Sequence, residues 1–90
     1  MFRLWVKLID DKNHLLKDVV ICNDNPDINR TKKIFAAIEE ACYQFDLAQP
    51  IWLESNIADF QKHSKTRFRS DSFVEQIDFD FMEIQVIEED

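Results

Sequence analysis

The chain contains no glycine. This excludes the glycine-rich phosphate loops, both the dinucleotide fingerprint and the Walker A pattern. Turns and helix ends that need a left-handed residue must use Asn or Asp, the next most tolerant side chains. No apolar run approaches the length of a membrane span, so none is expected. The opening residues 1–11, MFRLWVKLIDD, alternate and are charged, unlike a signal sequence. A cytoplasmic protein is therefore expected, with Cys22 and Cys42 as reduced thiols in the core. Positive charge is also in short supply, and the formal net charge is -7. That disfavours generic nucleic-acid binding and is compatible with solubility or a basic partner.

What the chain does have is aromatic bulk. Eight Phe, two Trp and one Tyr sit in 90 residues. A single domain of this size buries a little over ~60% of its unfolded surface, so stability depends on a dense core. The aromatics can supply one, and the apolar content excludes disorder.

Asn29–Leu47 is the one long segment with a helical period. At about 100° per residue, Ile34, Phe35, Ala37, Ile38, Ala41, Cys42 and Phe45 share roughly half the helix surface. Asp27, Asn29 or Thr31 can cap the start, and Pro50 stops the helix soon after Leu47. Arg30, Lys32 and Lys33 occupy the first turn, where the helix dipole disfavours cations. A solvated polar face explains them best; the alternative is an anion-binding helix start. Tyr43 projects from the polar face, and cover by the following loop is the favoured reading over an exposed partner site.

Phe2–Ile9 alternates as a half-buried strand, and residues 10–13 form a turn in which Asn13 best accepts a left-handed conformation. A second strand from His14 or Leu15 to Cys22 completes an antiparallel hairpin. Its end, Val19 to Cys22, is apolar on both sides and is expected to be covered on both. Residues 48–54 read as a short edge strand or extended loop containing Pro50. Ser55 or Asn56 can cap a short helix to His63 or Lys65 that buries Ile57 and Phe60. Thr66–Arg69 is strand or loop, Ser72–Glu75 matches a capping box, and Asp78–Glu88 alternates as a central strand.

The expected fold is α+β: one domain over residues 1–90, an antiparallel sheet with the long helix on one face. The opposite face would carry Trp5, Ile9, Phe81 and Ile87, needing cover from the second helix or a second copy.

No chemistry is specified. Asp59 and His63, four apart on a helix, form an ordinary surface pair unless a third catalytic member is placed beside them. His14, Cys22, Cys42 and His63 lack the close ligand pair of a structural zinc site, so neither metal nor cofactor is expected. The most distinctive polar stretch is Lys62–Arg69, with Lys62, Lys65, Arg67 and Arg69 around Phe68. Phe68 can stack a base; the favoured reading anchors it in the core, with the cations facing Asp71, Glu75 and Asp78.

Several blocks together resemble a set of short uncharacterised proteins of Gram-positive anaerobic bacteria. They are Arg30-Thr31, Ala41-Cys42-Tyr43, Pro50–Leu53, Lys65–Phe68 and the ending Glu83–Asp90. The resemblance implies a bacterial cytoplasmic protein and no activity.

The leading expectation is a non-enzymatic module that binds protein, another or itself as a homodimer. The alternatives are a binder of RNA or a phosphate ligand through Arg30, Lys32, Lys33 and Lys62–Arg69, and an acidic inhibitor imitating nucleic acid.

Overall fold

The computed structural model describes residues 1–89, and Asp90 lies outside the described residues. The elements are β1 (Phe2–Ile9), β2 (Leu15–Asn23), α1 (Arg30–Phe45), α2 (Glu54–His63), β3 (Lys65–Phe68) and β4 (Phe81–Glu88). A 3-10 turn spans Ser70–Ser72.

Without glycine, the left-handed positions fall to Asn13 (φ 61°), Asp46 (φ 57°) and Ser64 (φ 53°). Asn13 turns the β1–β2 hairpin. Asp10 supports it, accepting from the backbone N–H of His14 at 2.8 Å and of Lys12 at 3.0 Å. The His14 bond is the main cause that holds the Asp10 carboxyl below its usual range. Asp46 ends α1 in the αL conformation, and Ser64 ends α2 in the same way. Asn29 caps α1, its side chain accepting from the Lys32 N–H at 2.9 Å.

The four strands form one antiparallel sheet in the order β2-β1-β4-β3. The last strand is central, as its alternation indicates, but starts at Phe81 rather than Asp78. The short edge strand is β3, after α2. Of residues 48–54, read from sequence as an edge strand or extended loop, 48–53 are irregular and Glu54 starts α2. Ser72–Glu75 does not start a helix: the 3-10 turn ends at Ser72 and Phe73 is extended.

One sheet face carries Phe2, Leu4, Val6 and Leu8 of β1, Ile21 of β2, Met82 and Ile84 of β4, and Phe68 of β3, all buried. Ile34, Ala37, Ile38, Ala41 and Cys42 of α1 and Phe60 of α2 close the same core. Burying each large side chain contributes roughly 1.5–3 kcal/mol. Trp52 joins the helices to the sheet through edge-on contacts with Phe35 (6.1 Å), Phe60 (5.5 Å) and Phe68 (5.0 Å).

Both helices therefore lie on one side, and among the described residues no helix covers the opposite face. Val20 and Cys22 point there from the edge strand β2 and are exposed, so the expectation of cover on both sides, and of a buried Cys22, is corrected. That face is closed locally by charge. Glu83 is only 5% exposed and meets Lys7 Nζ at 3.3 Å, Arg67 Nε at 3.7 Å and Lys65 Nζ at 3.8 Å. Lys7 also lies 3.8 Å over the Trp5 ring, and Trp5 Nε1 donates to Asp18 at 2.8 Å. Arg67 and Arg69 cover Phe81 at 4.4 Å and 5.3 Å.

Candidate functional site

Two concavities flank α2, one on each side of the helix. Ile57, Phe60 and Gln61 face a groove of about 300 Å³ shared with Arg30, Thr31, Ile34 and Phe35 of α1 and with Trp52. Asn56, Asp59 and His63 face a cleft of about 320 Å³ shared with Lys65, Arg67, Arg69, Asp71 and Ser72. Helical spacing produces this division, because residues three and four apart share a face.

The groove is apolar and aromatic. Phe35 is 50% exposed and Ile57 45% exposed, although the helical period assigns both to buried faces. The reason is geometric. Each lies at the margin of its apolar sector and faces the groove beside Trp52 rather than the sheet. Arg30 forms the polar rim. It pairs with Glu89, donates from Nη2 to Ser64 Oγ at 3.2 Å, and lies 5.3 Å over the Phe60 ring.

The cleft is polar. Asn56 organises it from a buried position. Its Oδ1 accepts from the Leu53 N–H at 3.0 Å, while Nδ2 donates to Thr66 Oγ1 at 3.1 Å and to the Arg67 carbonyl at 2.9 Å. Leu53 stands at the N-cap of α2 without an acceptor side chain, so Asn56 caps the Leu53 N–H from N3 while the N–H groups that follow receive no acceptor from the N-cap. Asp59 and His63 both line the cleft but form no ion pair among the described residues.

The basic residues singled out in the sequence are divided by the fold. Arg30 of the first group reaches the second stretch through Ser64. Lys33 falls on the buried stripe of α1, four residues before Ala37, and is 8% exposed. Lys32 is exposed on α1, and Lys62 is exposed in the last turn of α2, where the dipole favours it. Lys65 and Arg67 turn to Glu83 instead of Asp71, Glu75 and Asp78. Lys33 and Arg67 thus belong to opposite sides of the sheet. Phe68 is fully buried and unavailable for stacking on a base. Tyr43 is 86% exposed, so the loop after α1 does not cover it.

Of the C-terminal carboxylates, Glu83 is buried, Glu88 pairs with Arg3 at 2.8 Å and Glu89 pairs with Arg30. Asp71, Glu75, Asp78 and Asp80 of the same acidic block are exposed. Cys42 is buried under α1, and burial pushes its thiol up to about 11. Among the described residues no three His, Cys, Asp or Glu side chains converge as metal ligands, and no helix is long and apolar enough to cross a membrane.

Comparison with protein-family models, with curated proteins and with solved structures finds no match.

Proposed function

We propose that the protein is a non-enzymatic interaction module of the bacterial cytoplasm that docks a segment of another protein in the α1–α2 groove. One observation carries the reading: Phe35, Trp52 and Ile57 line a concave, part-exposed apolar site on a chain otherwise rich in charge. Large apolar side chains clustered in a pocket are the usual anchors of protein recognition. The occupant has one large apolar side chain for the groove and a neighbouring carboxylate. Arg30 already donates to the Glu89 carboxylate at the rim, and that pair is part-exposed and therefore exchangeable. The negative net charge slows the approach of an acidic segment, so affinity rests on the apolar anchor.

The test is selection from a random peptide library on the wild-type chain, with counter-selection on Ile57→Asp. Recovered peptides should share an apolar residue beside Asp or Glu. A set enriched in Lys and Arg without an apolar anchor would reject this reading. Light scattering during the titration reports whether a second copy of the chain takes the site instead.

A further inference from the structure

The cleft on the other side of α2 has a chemistry that peptide docking does not use. We infer that it binds one phosphate group, carried by a small phosphorylated polyol. Three features converge there. The N-cap residue of α2, Leu53, offers no side-chain acceptor to the first-turn N–H groups, and this positive end of the helix borders the cleft through Leu53, Ser55 and Asn56. Arg69 lines it too and has no carboxylate partner among the described residues. Its guanidinium carbon lies 5.3 Å from the Phe81 ring centroid, a contact that uses none of its N–H donors. Arg67 is held similarly at 4.4 Å, and its 3.7 Å approach to Glu83 is too long for a hydrogen bond.

The third feature is independent of charge. Ser72 lines the cleft, is 1% exposed, and its hydroxyl has no hydrogen-bond partner among the described residues. A buried hydroxyl left so costs about 1–3 kcal/mol, a cost that a phosphate oxygen removes by accepting from it.

The rest of the lining selects the ligand. Asp59 and Asp71 oppose Lys65, Arg67 and Arg69, so the site is only mildly cationic. It favours a phosphate whose carrier presents hydroxyl donors to those two carboxylates. A volume of about 320 Å³ admits such a molecule. A nucleic-acid strand brings many phosphates to a chain of net charge -7, whereas a monoester brings roughly -1.5 to -2.

The test is an NMR titration of the full chain with inorganic phosphate, glycerol 1-phosphate and single-stranded RNA in turn. Saturable shifts are expected at Ser55, Asn56, Arg69 and Ser72, with glycerol 1-phosphate binding more tightly than phosphate. Arg69→Gln should weaken binding about tenfold and Ser72→Ala about fivefold, the loss of one hydrogen bond in each case. Lys17→Gln, on β2 away from the cleft, should bind as wild type. The inference is overturned by shifts spread over Lys12, Lys17 and Lys32, by unchanged affinity in Arg69→Gln, by RNA binding more tightly than glycerol 1-phosphate, or by no saturable shift. Arg69 is exposed, so its variant remains informative even if Ser72→Ala perturbs folding.

Discussion

Asn56 of α2 donates through Nδ2 to the backbone carbonyl of Arg67 in β3, at 2.9 Å. The bond occupies an outward carbonyl of a four-residue edge strand. Edge strands with free carbonyls invite another strand to pair. Asn56 closes this one at Arg67 and also bonds Thr66 and Leu53, so a single side chain joins the start of α2 to the sheet edge.

Asn56→Ala should therefore destabilise the fold by about 2–3 kcal/mol, since three hydrogen bonds are lost from a buried position. Urea denaturation checks the value. The variant should also aggregate more readily near its unfolding midpoint as the β3 edge opens, and a stability within 0.5 kcal/mol of wild type, roughly the spread of neutral surface substitutions, would count against this role.

Lys7 and Glu83 should behave as a coupled pair on the uncovered sheet face. Glu83→Gln leaves Lys7 beside Lys65 and Arg67 without its carboxylate, with an expected cost of about 3 kcal/mol. The double change Lys7→Met with Glu83→Leu should cost less than the sum of the single changes, because the mostly buried Lys7 charge is removed with its carboxylate, while Lys65 and Arg67, which also lose Glu83, are exposed to water. Additive single changes in a double-mutant cycle would show that the pair contributes no mutual stabilisation.

The two thiols should differ in reactivity and in pH response. Cys22 is exposed and should react with a thiol reagent in the native state, while buried Cys42 reacts only on unfolding. The Cys42 pKa is raised from 9.0 to about 11 by burial. The folded chain then binds more protons than the unfolded chain in that interval. Its contribution to stability is fully present below pH 9 and is lost as pH rises toward about 11. Cys42→Ala should be less stable at neutral pH and should lack this alkaline decline, as denaturation midpoints across the interval would record.

The strongly periodic elements were legible in the sequence, and the way they meet was not. The α1 stripe of Ile34, Ala37, Ile38, Ala41 and Cys42 is buried as its period requires. Phe35 and Ile57 belong to the same kind of stripe yet line the groove, because a helical period indicates an apolar sector and not which neighbour covers its margin. Strand β3 has only Thr66 and Phe68 pointing inward, too short an alternation to separate from a loop. Cys22 and Val20 have strand-like patterning, but their exposure depends on β2 being an edge and on α2 joining α1 instead of crossing to the other face. Of the cleft, Lys65, Arg67 and Arg69 were visible as a basic run. The sequence marks Ser72 as a capping-box start and Ser55 or Asn56 as the cap of α2, but the N-cap falls at Leu53 and Ser72 closes a 3-10 turn, so the buried hydroxyl and the bare helix start follow from tertiary placement.

The groove is tested most directly by the two tryptophans, which report on opposite sides of the molecule. Trp5 belongs to the uncovered sheet face and Trp52 to the groove. In Trp5→Phe, Trp52 is the remaining tryptophan, and its emission should change saturably as a library-selected peptide binds. Ile57→Asp in that background should abolish the change while leaving the unfolding midpoint within about 1 kcal/mol, since Ile57 is half-exposed. Equal peptide affinity in both variants, with Trp52 emission unmoved, would contradict docking in the α1–α2 groove.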